Sequence, residues 1–221
     1  MNSGAPQAFL FDLDGTLVDS ERENIESVVR AARRHSVELS AEERQFVIGH
    51  SWNEIHATIT RNHSLAVTMA LLIAEAVEEK RALLAATGYR ALPGAVAAVK
   101  RFARTSKLAV VTGASTAEAR DAVAGIGIAD LLGTLVAAED YTHGKPAPEP
   151  YQTAIARLGV DPARSIAIED ATPGILSARA AGARVIAVRA GNFAGYDLSP
   201  ADAVVDTLDD VTDDLIARLL A

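Results

Sequence analysis

Two aspartates stand directly behind an apolar run near the start of the chain, in the segment AFLFDLDGTLVDS. The run at 8–11 predicts a buried strand, and charged side chains are seldom placed at the end of such a strand without a partner or a function. Three later segments contain side chains with similar chemical capacity. The whole set is Asp12 and Asp14, then Thr112 and Gly113 in VVTGAS, Lys145 in HGKPAPEPY, and Glu169 and Asp170 in IAIEDATPG.

This set of residues suits a magnesium ion and a phosphate group. Mg²⁺ prefers carboxylate, carbonyl and water oxygens, and it is commonly held by one or two carboxylates together with substrate oxygens. If Asp12 attacked a phosphoryl dianion, their repulsion at ~4 Å would be about 8 kcal/mol at an effective dielectric constant of about 20, or roughly six decades of rate. The ion, Lys145, the Thr112 hydroxyl and the Gly113 amide are expected to offset that repulsion. Asp14 points to the same side of an extended segment and is therefore placed to move a proton.

The elements that position these side chains follow from an alternation of short β-rich runs with alanine-rich helical stretches. The runs are continuously apolar, as expected for parallel strands that are covered on both faces. Ligands of open α/β sheets bind beyond the carboxyl ends of the strands, so the side chains named above are expected to meet on one rim. The predicted strands lie at 8–11, 108–112, 134–139, 165–170, 184–188 and 201–205.

The first crossover between strands is far longer than the others. About a hundred residues separate the first two runs, and segments such as ERENIESVVRAARRH and TMALLIAEAVEEKRALLAAT have the periodicity of helices. We predict an α/β protein whose core is a Rossmann-like parallel sheet with helices on both faces, formed by residues 1–17 and 91–221. An α-helical cap domain is expected to be inserted at residues 18–90.

Composition narrows the choice of partners. The chain has 221 residues, a formal net charge of −8 and no cysteine. An acidic chain is poorly suited to nucleic acid or an anionic membrane surface, so we expect small molecules or other proteins as partners, and neither nucleic acid nor membrane. The absence of cysteine excludes disulfides, thiolate catalysis and cysteine-ligated metal sites. The start MNSGAPQ has no basic segment followed by a long apolar run, so we expect no signal peptide and a cytoplasmic location. We also expect a monomer or a weak dimer.

With these four segments in this order, the chain resembles the haloacid dehalogenase-superfamily phosphatases with a small helical cap, the β-phosphoglucomutase-like group. The resemblance extends from Phe9 to the terminal ADAVVDTLDDV. It implies the haloacid dehalogenase fold and Mg²⁺-dependent hydrolysis of a phosphate ester. It also implies that Asp12 becomes a covalent aspartyl phosphate and binds the metal. Asp14 is implied to be the general acid/base and a metal ligand through its backbone carbonyl.

The later motifs correspond residue by residue to those of the family. Thr112 matches the second motif and Lys145 the third, so the resemblance implies catalytic roles for both. Asp170 and Glu169 match the fourth motif and are implied to bind the metal, while Gly113 is expected to bind substrate. Simpler interpretations stay open. Thr112 could be a helix N-cap, and the Asp-Gly pair at 14–15 could form a purely structural turn. Glu169 could bind the metal through water or only orient its neighbours.

The cap is expected to close over the rim, exclude water and select the substrate. Its segment VIGHSWNEIH at 47–56 matches the substrate-specificity segment of this cap type. We expect His50, Trp52 and Asn53 to contact the substrate, with His56 as a further candidate. Packing between cap helices is an equal alternative for Trp52.

Three positions bear on whether the chain is a hydrolase or a phosphomutase. The mutase branch of the resemblance usually has valine, histidine and arginine where this chain has Thr16, Asn24 and Trp52. Without the forked arginine, the cap is poorly equipped to hold a second phosphate. We therefore expect a hydrolase of a small metabolite, such as a sugar phosphate, phosphoglycolate or a polyol phosphate. A phosphomutase is the alternative, followed by a non-catalytic binding domain, and dehalogenation is disfavoured because a carboxylate substrate needs no magnesium site.

Overall fold

The chain divides into two compact units. The computed structural model describes residues 5–63 and 65–221. One unit is an α/β structure that runs up to residue 19 and resumes at residue 90, and the other is the helical segment Ser20–Tyr89. The two units are described separately below.

A parallel sheet is the framework of the α/β unit. The strands of the described residues are β1 (Ala8–Phe11), β2 (Val18–Asp19), β3 (Arg90–Ala91), β4 (Lys107–Val111), β5 (Thr134–Val136), β6 (Ser165–Glu169), β7 (Arg184–Val188) and β8 (Ala203–Val205). Six of them form one sheet in the order β5-β4-β1-β6-β7-β8, with every neighbouring pair parallel. All six predicted strands are present, which confirms the α/β fold class.

Two predicted strands are shorter than expected by two residues or more, since β5 ends at Val136 and not at residue 139, and β8 begins at Ala203 and not at residue 201. The chain leaves β5 because the Asp140 carboxylate accepts a hydrogen bond from the Ala137 amide (2.9 Å) and turns the backbone. The sequence TLVAAED contains no apolar-to-polar break before Glu139, so this turn is not visible in its pattern.

A short ribbon sets the limits of the α/β unit. Strands β2 and β3 pair antiparallel, with Val18 opposite Ala91 and Asp19 opposite Arg90. Both strands belong to the α/β unit, which therefore continues two residues past the predicted end at 17 and resumes one residue before the predicted start at 91. A strand of two residues has no periodicity, so this ribbon could not be predicted from the sequence pattern.

Strand β1 lies in the middle of the sheet, between β4 and β6, and all four of its residues are buried. Ala8 and Leu10 pack into the apolar core on one face. On the other face the rings of Phe9 and Phe102 stack with their centroids 3.8 Å apart. Because both faces are covered, only the end of the strand is open to polar side chains, and Asp12 stands there.

The helical unit contains α1 (Glu21–Arg34), α2 (Ala41–Phe46), α3 (Trp52–His63) and α4 (Met69–Thr87). The two segments with clear helical periodicity in the sequence form α1 and α4, as predicted. Val29 and Leu72 are fully buried in the core of this unit. Among the described residues, none of the helices is both long and apolar enough to cross a membrane.

The helices of the α/β unit are α5 (Ala95–Phe102), α6 (Thr116–Gly125), α7 (Glu149–Leu158), α8 (Thr172–Ala180) and α9 (Asp213–Leu220). Helix α6 begins with a capping box, in which the Ser115 hydroxyl accepts from the Glu118 amide and the Glu118 carboxylate accepts from the Ser115 amide. Ser115 is therefore the N-cap, and the interpretation of Thr112 as the N-cap is wrong. Helices α7 and α8 start shortly after Lys145 and Asp170, respectively.

A buried glutamate connects two helices of the helical unit. Glu43 accepts hydrogen bonds from the Ser40 amide at the start of α2 (2.8 Å) and from the Asn62 amide group at the end of α3 (2.8 Å), and it pairs with the His63 ring (2.8 Å). Burial raises the pKa of Glu43, but the hydrogen bonds from His63, Asn62 and Ser40 outweigh that effect and lower the pKa to about 2.

Glu43→Gln tests this connection through its pH dependence. Because the native pKa lies below the ordinary value of 4.5, the carboxylate stabilises the fold above pH 4.5 and loses that effect as the pH falls towards about 2. We expect the variant to lose about 1–3 kcal/mol in free energy of unfolding near pH 7 and less near pH 3. Urea denaturation followed by circular dichroism measures both values. Glu78→Gln, which breaks an exposed ion pair with Arg34, is the control, and an equal loss at both pH values would contradict the assignment.

Candidate active site

Asp12 is fixed by the sheet itself. It directly follows the last residue of β1, and its amide donates to the Ile168 carbonyl of β6 (3.0 Å), which continues the pairing of the two strands. Only 9% of its surface is exposed. The carboxylate therefore stands at the carboxyl end of the sheet, where the sequence placed it.

Behind Asp12 the chain closes a tight loop. The Leu13 carbonyl accepts hydrogen bonds from the Leu17 and Val18 amides, both at 2.9 Å, and the Gly15 amide donates to the Val18 carbonyl (2.9 Å). Gly15 has a φ of +84°, in the left-handed region that glycine adopts most readily. Asp14 is half-buried in this loop. A carboxylate that is held in a turn and still reaches solvent suits the proton transfer expected of it.

Lys145 is the centre of the site. Its ammonium donates hydrogen bonds to Asp12 Oδ1 (2.5 Å), to Glu169 Oε1 (2.6 Å) and to the Val111 carbonyl (3.1 Å). Burial disfavours the charged ammonium, but the Asp12 and Glu169 carboxylates outweigh that effect and raise the pKa of Lys145. The half-buried side chain therefore favours its charged form between two acids.

Three carboxylates converge around this cation. Asp12, Glu169 and Asp170 are all buried, and one oxygen from each lies within 4.8 Å of the others. Burial raises the pKa of Asp12 well above its usual value, Glu169 and Asp170 add to the shift, and Lys145 opposes it. Burial and the Glu169 charge also raise the pKa of Asp170 to about 7, although the Thr16 hydroxyl donates to Asp170 Oδ1 (3.2 Å). The single positive charge of Lys145 therefore does not balance the negative charges of three carboxylates.

These residues fit a magnesium ion. The donor set consists of the hard oxygens of three buried carboxylates, which is the chemistry that Mg²⁺ prefers over softer metals. A divalent cation would also offset the cost of burying these charges and the repulsion between them, which together raise the pKa values of Asp12 and Asp170. Within the part of the chain that the structure describes, the acids close enough to share one cation are Asp12, Glu169 and Asp170.

Two glycines leave the space that the acids occupy, and a third allows a close approach of two backbone segments. A Cβ on Gly174, in the first turn of α8, would lie 1.9 Å from Glu169 Oε1, and one on Gly15 would lie 2.3 Å from Asp170 Oδ2. A Cβ on Gly191, in the loop after β7, would lie 1.6 Å from the Gly15 carbonyl oxygen. The positions of Glu169 and Asp170 therefore depend on backbone that has no side chain. Sequence reasoning missed Gly191, since a single glycine in a loop carries no distinguishing pattern.

Thr112 and Gly113 follow β4, which pairs with β1 in the sheet, so Thr112 and Asp12 leave the sheet at the same rim. Thr112 is buried; its amide donates to the Val136 carbonyl (2.9 Å), and its hydroxyl accepts from the Ala114 amide (3.0 Å). Gly113 is exposed, and a Cβ there would meet no atom within 4 Å. The segment therefore offers open space at the sheet rim, as a substrate-binding role requires.

The predicted cap residues belong to the helical unit. The exposed ring of His50 stacks on Phe46 with centroids 3.7 Å apart. Trp52 is half-buried against the apolar core of the helical unit, which supports its packing interpretation. Asn53 is exposed on α3, and His56 hydrogen-bonds a backbone carbonyl of its own unit (2.8 Å). Substrate contact by these residues stays a prediction.

One side chain at the acid cluster was missed entirely from the sequence. Tyr151, in the first turn of α7, is fully buried and donates its hydroxyl hydrogen bond to Glu169 Oε1 (2.6 Å). The only available sign was an aromatic residue six positions after Lys145 in an otherwise small and polar stretch. Such a residue is more often part of an apolar core, so its type alone did not indicate the contact.

Comparison with known proteins indicates the same family as the motifs of the sequence. Residues 9–188 match the sequence profile of the haloacid dehalogenase-like hydrolases. Validoxylamine A 7'-phosphate phosphatase of Streptomyces hygroscopicus subsp. limoneus is 36% identical over 183 residues, covering 78% of this chain and 81% of that protein. Hexitol phosphatase A of Escherichia coli (strain K12) is 35% identical over an alignment of 227 residues, covering 93% of each protein.

A solved structure supports the fold. The crystal structure of a predicted phosphoglycolate phosphatase from Haemophilus somnus 129PT superposes with a TM-score of 0.84 at 21% identity, covering 96% of this chain and 97% of that one. Both sequence relatives are phosphatases by name, which confirms the predicted enzyme class, a phosphatase of the haloacid dehalogenase type. With its residues 9–188 matched and two relatives above 30% identity, the chain belongs to the haloacid dehalogenase-like hydrolase family.

Proposed function

We propose that the chain is a Mg²⁺-dependent phosphomonoester hydrolase that acts through a phosphoaspartate on Asp12. The observation that supports this most is the buried cluster in which Lys145 joins Asp12 to Glu169 beside Asp170. A nucleophilic carboxylate needs positive charge near the phosphate that it attacks, and a buried lysine shared with further acids suits a phosphate and a cation together.

The metal would be held by the carboxylates of Asp12, Asp170 and Glu169 and by the backbone carbonyl of Asp14. When bound, Mg²⁺ supplies positive charge that lowers the repulsion between the nucleophile and the phosphate. Glu169 would bind the ion directly or through a water molecule.

The chemistry divides between two aspartates. A carboxylate oxygen of Asp12 forms a bond to phosphorus while the bond from phosphorus to the ester oxygen breaks, and the leaving oxygen takes a proton from Asp14. The deprotonated Asp14 then accepts a proton from water as the water oxygen attacks the aspartyl phosphate. Inorganic phosphate leaves, and Asp12 is restored as a carboxylate. Lys145, the Thr112 hydroxyl and the Gly113 amide stabilise the charge on the transferred phosphoryl oxygens.

The substrate is proposed to be a small phosphorylated metabolite, such as a sugar phosphate, phosphoglycolate or a polyol phosphate. The names of the two sequence relatives, a validoxylamine A 7'-phosphate phosphatase and a hexitol phosphatase, support this class. His50, Trp52 and Asn53 are proposed to contact the part of the substrate beyond the phosphate. A cytoplasmic location and a monomeric or weakly dimeric state belong to the same proposal.

Asp12→Asn should remove turnover, because an amide is a far weaker nucleophile than a carboxylate. We expect phosphate release from p-nitrophenyl phosphate with Mg²⁺ to fall by about 10³-fold or more, with the far-ultraviolet circular dichroism unchanged. Asp19→Asn, in β2 and paired with Arg90, is the matched control and should keep wild-type activity. Mass spectrometry must show that the asparagine has not deamidated. Wild-type rates in that verified variant would rule out the covalent mechanism.

Asp14→Asn should separate the two half-reactions. Proton transfer contributes about 10²–10⁴-fold, and p-nitrophenolate is a good leaving group that needs little protonation. With this ester, capture of the phosphoryl group should therefore slow less than its release. Rapid-quench kinetics should show a burst of nitrophenolate, and intact mass spectrometry should show a phosphorylated chain. Equal slowing of both half-reactions would count against Asp14 as the acid/base.

Incubation with a hexose 1-phosphate and Mg²⁺ distinguishes a hydrolase from a phosphomutase. Thr16, Asn24 and Trp52 stand where the mutase branch usually has valine, histidine and arginine, and an unpaired buried phosphate is costly. We expect inorganic phosphate to be released, no 6-phosphate isomer to accumulate, and no stimulation by the hexose bisphosphate. Isomer formation faster than phosphate release, with stimulation by the bisphosphate, would establish the mutase instead.

A further inference from the structure

Tyr151 is an uncharged side chain of the protein core that hydrogen-bonds the cluster formed by Lys145 and the three acids. Its hydroxyl donates to Glu169 Oε1 at 2.6 Å, and this oxygen also accepts the Lys145 ammonium at 2.6 Å. The Tyr151 ring passes beneath the same ammonium, with Lys145 Nζ 5.2 Å from the ring centroid. The tyrosine therefore contacts both Glu169 and Lys145, which form the ion pair at the centre of the site.

The Glu169 carboxylate is enclosed on several sides. Tyr151 and Lys145 share Oε1, and the carboxylate lies against the Cα of Gly174, where an added Cβ would come within 2.1 Å of Oε2. Glu169 itself is 1% exposed and Tyr151 is fully buried. A carboxylate in such a space keeps one orientation only while each of its partners is present, because buried hydrogen bonds to a charged group are strong and cannot be replaced by solvent.

We propose that Tyr151 is a positioning residue: its hydroxyl holds Glu169 so that this carboxylate fixes the Lys145 ammonium beside Asp12 and turns towards the metal-binding acids. The proposal rests on the proposed function. Removal of the hydroxyl leaves Glu169 Oε1 with the lysine as its remaining partner, and the carboxylate is then free to follow Lys145 or to tilt away from it. Either movement alters both the phosphate-binding cation and the acid cluster.

Tyr151→Phe is the direct test, because it removes one oxygen and leaves the buried ring in place. Groups that orient metal-binding residues typically change metal affinity by about 10–100-fold when they are removed. We expect the dissociation constant for Mg²⁺, measured by calorimetry on the full-length protein without substrate, to rise by about tenfold or more. The turnover number for p-nitrophenyl phosphate at saturating Mg²⁺ should also fall, with a smaller change in KM.

Ser165→Ala is the matched control. Ser165 is fully buried on the same strand, β6, and its hydroxyl donates to the Asp161 carbonyl (2.9 Å) at the opposite end of the strand from Glu169. This variant also loses one buried hydroxyl and one hydrogen bond. We expect it to lower the melting temperature while leaving the Mg²⁺ dissociation constant within about twofold of the wild type.

A double-mutant cycle with Glu169→Gln separates positioning from simple packing. If Tyr151 acts through the charge of Glu169, then Tyr151→Phe should weaken Mg²⁺ binding by less than about threefold in the Glu169→Gln background. The same factor in both backgrounds would mean that the tyrosine only packs. A Tyr151→Phe enzyme with wild-type Mg²⁺ affinity and turnover would also overturn the proposal.

A failure of the proposed function can be distinguished from a failure of the role proposed for Tyr151. A wild-type protein that neither binds Mg²⁺ nor hydrolyses phosphate esters would contradict the function itself. The dissociation constant for inorganic phosphate, measured by the same calorimetry without metal, then decides whether Tyr151 positions Lys145. A weaker affinity in Tyr151→Phe than in Ser165→Ala supports that positioning, and equal affinities reject it.

Discussion

A buried ammonium shared between two carboxylates is the interaction on which the rest of the site depends. The Lys145 ammonium donates to Asp12, which follows β1, and to Glu169, the last residue of β6. Its third hydrogen bond goes to the Val111 carbonyl at the end of β4. A buried ion pair that loses one partner typically costs about 3–5 kcal/mol, because the remaining charge is left without compensation. The three segments are therefore tied to one another, and the parallel sheet brings their strands to the common rim at which the tie can form.

The same cluster is over-supplied with negative charge, and this imbalance links structure to function. Burial, together with the charges of the neighbouring carboxylates, raises the pKa values of Asp12 and Asp170 in the protein alone. Stability would be better served by fewer acids, so the excess makes physical sense as a site for a divalent cation. The backbone is adapted to this crowding, since Gly174 and Gly15 leave room for carboxylates where any other residue would collide with them.

The sequence predicted the sheet well because each parallel strand, buried on both faces, carries its own continuous apolar signal. The positions of Asp12, Lys145 and Asp170 followed from the strand ends and from the resemblance to a family. The contacts of Tyr151 and Gly191 did not follow, because each depends on which distant segment packs beside it. Capping is different: the Ser115 capping box, STAE, is visible in the sequence, but the N-cap interpretation named only Thr112 of VVTGAS.

One departure from the mutase branch has a physical account within the α/β unit alone. Thr16 is fully buried, and its hydroxyl donates to Asp170 Oδ1 at 3.2 Å. The valine that the mutase branch usually has at this position is close to threonine in shape but has no donor, so it could not hold this oxygen. The hydroxyl favours the ionised form of Asp170 against the burial and the Glu169 charge that raise its pKa. Thr16 thereby favours the charged form in which a carboxylate binds a cation, which makes this position part of the acid cluster.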